Sequence, residues 1–283
     1  MVTFLIVLSY AASATLARRL REFQARLNSR PPRSSRLSIQ SISAINRAVT
    51  SAIIVAAGKS SRMGPQTDKM FLPVAGRPLV AHAWQRFDSA ACIAEIILVV
   101  RDGTQGAYSD LAAEFGFHKP FRLVPGGKER QDSVWNGLEH LAPDAEIVAI
   151  QDAARPCTTE ALLEATIAAA RQEGAAVAAQ PVADTIKHSD DGRFIARHLD
   201  RSRLWAVQTP QTFRVEVIRR ALAKVREKGL QVTDDTAACE WIGQPVKLVC
   251  GAEPNPKVTR PEDVPYVELL LRNLAAPRLG SIG

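Results

Sequence analysis

Ser51-Ala52-Ile53-Ile54-Val55-Ala56-Ala57-Gly58-Lys59-Ser60-Ser61-Arg62-Met63-Gly64, running on to Lys69, is the stretch that decides how this chain is built. Residues 51–55 are a short apolar run of the kind a fully buried strand shows. A strand that opens into small residues presents bare backbone N–H groups, and such a nest binds anions. Arg62 and Lys69 add two positive charges just beyond it. The spacing matches neither the dinucleotide pattern G-x-G-x-x-G nor the P-loop pattern G-x-x-x-x-G-K-[ST]. Standing alone, the stretch fits a triphosphate site or a plain strand-to-helix loop with solvated charges equally well. Lys59, inside the nest, reads as a phosphate contact or as an exposed charge.

After Val49 the chain alternates apolar runs with amphipathic stretches. Strands are expected at 52–57, 95–100, 121–124, 146–151 and 175–181, and helices at 79–89, 106–115, 130–141 and 159–173. In the last of these, Ala161, Leu162, Ala165, Ile167, Ala168 and Ala169 fit one apolar face. Repeated strand–helix units predict an α/β, Rossmann-like body with a mostly parallel sheet and helices on both faces. In such sheets ligands sit beyond the strands' carboxyl ends, near the switch in strand order. The opening loop and Asp152-Ala153-Ala154-Arg155-Pro156 would both fall there.

From 184 to 208 the rhythm changes. Charged, β-prone stretches flank Asp190-Asp191-Gly192, a hairpin-turn signal. The segment reads as an inserted antiparallel β-arm with little core of its own, so it is expected to pack on a second subunit. Helices at 215–228 and 234–241 and a strand at 246–249 follow. A last helix opens at Pro261-Glu262-Asp263, where proline at the first helical position and acids in the first turn favour a start. The organisation expected is an extension over 1–50, a folded body over 51–276 and a tail over 277–283.

The net charge of +7 belongs to the extension. Residues 1–50 hold eight arginines and one acid, Glu22, which leaves 28 basic and 28 acidic residues in the rest of the chain. A nucleic-acid-binding domain needs its basic footprint on the folded surface and is not supported. Cys92, Cys157, Cys239 and Cys250 are scattered without a CxxC pair, which predicts reduced, mostly buried thiols. His82, His118, His140, His188 and His198 show no metal spacing. Trp84, Trp135, Trp205 and Trp241 lie among apolar residues and are expected in the core. In the extension, residues 2–16 are apolar but shorter than the roughly 20 residues of a spanning helix. Ala12-Ser13-Ala14 resembles a signal-peptidase site, yet the basic residues follow the apolar run. The Arg- and Ser-rich segment 17–47 has the composition of an organellar presequence. An upstream start adding disordered residues is the reading taken, with targeting or an anchor as alternatives. A cytoplasmic location is expected unless 1–50 is a presequence.

Five segments stand out together: AAGKSSRMG with Lys69; GGKERQDSV (126–134); DAARP (152–156); VADTIK with HLDRSRLWAVQTPQTF (182–187 and 198–213); and NPKVTRPEDV (255–264). In this order they resemble the 2-C-methyl-D-erythritol 4-phosphate cytidylyltransferase family, over about 51–274. The resemblance implies transfer of CMP from CTP to 2-C-methyl-D-erythritol 4-phosphate, with release of pyrophosphate, in non-mevalonate isoprenoid precursor biosynthesis. Such a reaction needs no general base, because a phosphate monoester with a second pKa of about 6 is already a dianion at neutral pH. What it needs is positioning and cations for the charge that grows at the α-phosphorus, work that Mg²⁺ commonly shares.

Matched position by position, the resemblance makes Arg62 and Lys69 the pair that stabilises the transition state. It sets Ala56, Ala57 and Gly58 against the nucleotide through their backbone. Gly126, Gly127 and Ser133 would lie against cytosine and ribose; Lys128 departs from members with an acid or a small residue there. Asp152 would meet ribose hydroxyls, a substrate hydroxyl or a metal-bound water. Arg155 would hold the substrate or make a structural salt bridge. The resemblance further implies that Lys257 positions the attacking phosphate, with Thr233 nearby. It implies that Thr185 and Arg201, on the arm, reach a partner's site, so that a homodimer completes it. The metal's ligands stay unassigned. The alternatives are a cytidylyltransferase for another polyol phosphate, such as ribitol 5-phosphate, and a nucleotide-binding regulator without turnover.

Overall fold

The structure, a computed structural model, describes residues 49–58 and 68–275. In chain order these form β1 (Val49–Val55), a 3-10 turn (Lys69–Phe71), β2 (Pro73–Val74), β3 (Arg77–Pro78), α1 (Leu79–Ser89), β4 (Glu95–Val100), α2 (Gln105–Phe115) and β5 (Phe121–Pro125). They continue as α3 (Arg130–Glu139), β6 (Ala145–Asp152), α4 (Glu160–Glu173), β7 (Ala175–Pro181), β8 (Lys187–His188) and β9 (Arg197–His198). A 3-10 turn (Arg201–Arg203), β10 (Trp205–Arg214), α5 (Val215–Glu227), α6 (Asp235–Glu240), β11 (Lys247–Cys250), a 3-10 turn (Pro261–Asp263) and α7 (Val264–Ala275) complete them. Among the described residues no helix is long and apolar enough to cross a membrane.

Seven strands form one sheet in the order β11-β7-β10-β6-β1-β4-β5. All neighbours run parallel except β10, which is antiparallel to both β6 and β7. The period-two alternation of side chains divides the core into two halves. Ala52, Ile54, Ile96, Leu98 and Val100 meet Leu79, Trp84 and Phe87 of α1, Leu163 and Ile167 of α4, and Val267 of α7. Ile53, Ile97, Val99, Val148 and Ile150 face the other way, onto Val134 and Leu138 of α3, Ile218 and Leu222 of α5, and Ala238 of α6. The chain steps from β1 outward to β4 and β5, then returns to lay β6 on the opposite side of β1. The loops at the carboxyl ends of β1 and β6 therefore diverge and leave a crevice between them.

The expected strands and helices are present, with ends displaced by at most three residues. Three expectations need correction. The inserted arm is a small hairpin, β8 with β9, closed by Asp191, whose Oδ1 accepts from Arg193 N (2.8 Å) and Phe194 N (3.0 Å). Its expected last residues, 205–208, instead open β10, where Trp205, Ala206 and Val207 pair with Pro181, Gln180 and Ala179. On α4 the buried residues are Leu162, Leu163, Thr166, Ile167 and Ala170, while Ala161, Ala165 and Ala168 are exposed. Burying a leucine or isoleucine removes far more apolar area than burying an alanine, so the large side chains set the helix's rotation. Trp84 is buried, but Trp205 and Trp241 are exposed. Trp241 lies under Lys228 Nζ (5.0 Å from the ring centre), and half-buried Trp135 lies under Arg226 (4.7 Å). An aromatic face covered by a cation needs no place in the core.

Candidate active site

The crevice holds a cleft of about 320 Å³ lined by loops from four strand ends. Ala57 and Gly58 follow β1; Gly127, Lys128, Glu129, Arg130 and Ser133 follow β5; Asp152 ends β6, with Ala153 and Ala154 after it; and Lys257 follows β11. Lys69, from the turn after the opening loop, completes the described wall. Four cations and two carboxylates line the described part of this cleft, so it favours anions.

Each wall has a local cause. Gly126 donates its N–H to Val100 O (2.8 Å), and a Cβ placed on it would lie 2.3 Å from Ala57 Cβ. A Cβ on Gly127 would lie 2.3 Å from Asp132 Cβ. Only glycine lets the turn after β5 close on the loop after β1. Gly127 N–H donates to Ser133 Oγ (3.1 Å), and Asp132 reaches back to Glu129 N–H (3.1 Å), starting α3 directly under the turn. If the cleft takes the nucleotide that the family resemblance implies, Gly126→Ala is expected to lower its affinity at least tenfold and to destabilise the fold by about 1–3 kcal/mol through overpacking. Calorimetric titration and urea unfolding check both numbers.

Asp152 is the electrostatic centre. Its Oδ2 lies 2.7 Å from Lys257 Nζ and 3.8 Å from Arg155 Nε, and its Oδ1 lies 3.4 Å from Arg130 Nε. Burial alone would raise its pKa, but Arg130, Lys257 and Arg155 outweigh burial and hold it at about 2. A carboxyl depressed in the folded state contributes stability above its unfolded value and loses it as pH falls through the folded one. The stability difference between wild type and Asp152→Asn is therefore expected to be full above about pH 5 and to be lost progressively as pH falls through about 2. Denaturant unfolding across that range measures it.

The remaining motifs stitch this centre together. Thr209 Oγ1 accepts from Asp152 N–H (3.0 Å), while Asn255 Nδ2 donates to Thr209 O (2.7 Å). Val258 N–H donates to Ala154 O (2.9 Å), which fastens the Lys257 segment to the end of β6. Arg155 is mostly buried, donates from Nη1 to Asn255 O (2.7 Å) and does not line the cleft. Of its two readings, the contacts made are those of the structural salt bridge with Asp152.

The structure brings Ala57, Gly58, Lys69, Gly127, Ser133, Asp152 and Lys257 together. Ala56 lies just beneath, its N–H given to Val99 O (2.7 Å). Arg62 and Lys59 lie outside the described residues. Thr185, Arg201 and Thr233 are exposed and stand apart from the cleft wall; Arg201 Nη1 donates to Ala183 O (2.6 Å) within the arm. Sequence reasoning missed Arg130, which bridges Asp152 and Asp235 Oδ2 (2.8 Å). Burial works against its charge, but Asp235 and Asp152 outweigh it and push the pKa above the ordinary arginine value. A signal existed: Arg130 opens a helix, where the positive dipole end repels a cation unless carboxylates compensate.

The family model for 2-C-methyl-D-erythritol 4-phosphate cytidylyltransferase (IspD) matches residues 50–273. The chain belongs to this family. A 2-C-methyl-D-erythritol 4-phosphate cytidylyltransferase of Caldanaerobacter subterraneus subsp. tengcongensis is 44% identical over 223 residues, covering 78% of this chain and 98% of the relative. One of Pelotomaculum thermopropionicum is 41% identical over 222 residues, covering 78% and 93%. Among solved structures, the 4-diphosphocytidyl-2C-methyl-D-erythritol synthase of Anaerococcus prevotii superposes with a TM-score of 0.70 at 31% identity, over 79% of this chain and 96% of that one. The Thermus thermophilus cytidylyltransferase gives 0.64 at 33%, over 79% and 99%. The matched family segment includes the whole described cleft wall.

Proposed function

We infer that this chain transfers CMP from CTP to 2-C-methyl-D-erythritol 4-phosphate. The observation that carries the reading is a cationic cleft at the strand-order switch, with Lys69 and Lys257 in its wall, in a chain of this family. A phosphate oxygen of the polyol phosphate attacks the α-phosphorus of CTP, the bond from that phosphorus to the β-bridging oxygen breaks, and pyrophosphate leaves. Lys69, with Arg62, stabilises the charge growing at the α-phosphate. Lys257 holds the attacking phosphate and is itself held by Asp152. The glycine turn presses the nucleotide against Ala57 and Gly58. Mg²⁺ takes few protein carboxylates when it arrives on substrate phosphates; Asp152 and Glu129, the carboxylates in the described wall, are already engaged by Lys257 and by the start of α3, so the ion would be held mainly by the triphosphate. Bound there, it would neutralise charge on the triphosphate.

The homodimer is part of this proposal. Phe194 and Ile195, at the tip of the arm, are 77% and 68% exposed, and a second copy is the partner that would cover them and bring Thr185 and Arg201 to a cleft. Light scattering should give twice the chain mass; a monomer at assay concentration removes the shared-site part.

The deciding assay incubates the full chain with CTP, Mg²⁺ and either polyol phosphate and measures pyrophosphate release. Methylerythritol phosphate is expected to react at least tenfold faster than ribitol 5-phosphate. Reaction with ribitol phosphate alone overturns the substrate assignment. CTP binding without release from either leaves a regulator.

A further inference from the structure

The geometry points to Asp235 as a positioning residue that acts on the cleft through Arg130. This inference rests on the CMP-transfer reading and deepens it. Asp235 is fully buried and does not line the cleft. It is the first residue of α6 and is held by its own N–H, which donates to Gln211 Oε1 (3.0 Å). Gln211 Nε2 donates in turn to Asp234 Oδ2 (2.9 Å), so the start of α6 is tied to β10 at both residues. From this fixed point Asp235 Oδ2 meets Arg130 Nη1 at 2.8 Å, and Arg130 Nε reaches Asp152 Oδ1 at 3.4 Å. Arg130 is thus strung between one carboxylate in the cleft and one behind it.

The pair is poorly explained as a stabilising device. A buried ion pair is weak grounds for stability, because desolvation offsets most of its attraction. This one leaves Arg130 Nη2 and both Asp235 carboxylate oxygens buried without a hydrogen-bond partner, Oδ2 being held by the ion-pair contact alone. What the arrangement does achieve is orientation. Arginine's rigid fork can span two carboxylates, which a point charge cannot. Held from behind, Arg130 fixes the Asp152 carboxylate that carries Lys257. It also pins the first turn of α3, on which the Gly126-Gly127 turn rests through Ser133. Asp235 therefore sets both the nucleotide wall and the phosphate-holding lysine while touching neither.

The test is a double-mutant cycle in the full chain with Asp235→Asn, Asp152→Asn and the double variant, reading kcat, KM for CTP and the unfolding midpoint. Asp235→Asn is expected to lower kcat/KM for CTP at least tenfold, and to lower it less than twofold in the Asp152→Asn background. Equal losses in both backgrounds, or no loss, overturn the inference, since a merely structural residue would weaken both alike. Arg130→Lys, which keeps a charge but cannot span two carboxylates, is run alongside and decides the matter if Asp235→Asn does not fold; the same non-additivity is expected. Calorimetric CTP titrations repeat the cycle without turnover. A wild type that binds CTP but releases no pyrophosphate overturns the transfer reading alone, and the binding cycle still decides the role of Asp235. A wild type that does not bind CTP overturns both.

Discussion

Replacing Lys69 by alanine is expected to lower kcat by about 10²- to 10³-fold while moving the unfolding midpoint by no more than about 2–3 degrees. The turn that carries Lys69 has anchors besides that side chain. Asp68 caps the turn by accepting from Met70 N–H (3.1 Å) and pairs with Arg101 Nη2 (3.3 Å), while buried Met70 anchors it to the core. The Lys69 ammonium donates to Val258 O (3.4 Å). The turn keeps the Asp68 and Met70 anchors when the Lys69 side chain is removed. What is lost is a cation placed where negative charge grows during transfer, in a cleft where water screens it less than in bulk. Single-turnover CMP transfer and thermal unfolding, measured on the same preparation, separate the two effects. A large fall in midpoint with a proportionate fall in rate would make Lys69 structural.

Asp152→Ala is expected to have the opposite signature, with stability and activity lost together. The change leaves Arg130, Arg155 and Lys257 without the carboxylate they share. Stranding buried charges costs roughly 3–5 kcal/mol when one partner of a pair is removed. Lys257 is a third exposed and can turn to water, so about 3 kcal/mol is the expected loss. Urea unfolding at neutral pH measures it, and pyrophosphate release should fall at least a hundredfold in the same variant. A stability change below about 1 kcal/mol would mean that the three cations are held by their other contacts and that Asp152 is not their common anchor.

Much of the fold was legible in the residues because burial enforces simple patterns. β4 is buried along all six residues, and 96–100 read as a continuous apolar run; α1 was bounded correctly from its pattern alone. The failures share a cause. α4 is alanine-rich, so its apolar stripe is nearly uniform in sequence, and only contact with the sheet chose which alanines face solvent. Trp205 and Trp241 sit among apolar neighbours, yet their exposure follows from where β10 and α6 end in space. In the site, Lys69 and Asp152 were legible from the loops that follow strands, whereas Lys257 came from the family resemblance. Arg130, at a helix start, signalled only that it needs a carboxylate; that the carboxylate is Asp235, 105 positions away in the sequence, no spacing announces.

By itself the sequence determined a strand–helix alternation, a neutral body behind a basic extension, and a small-residue loop with cations at a strand's carboxyl end. Those follow from local rules: side-chain period, turn chemistry and composition. Only the tertiary structure decided that β10 runs against its neighbours, that Arg155 faces inward onto Asn255, and that one buried carboxylate stands behind the cleft. The physical reason is that hydrogen bonds and ion pairs between distant segments are selected by how strands are ordered in the sheet. The loop after β1 became one wall of a site when the reversal of strand order set it beside Asp152 and Lys257.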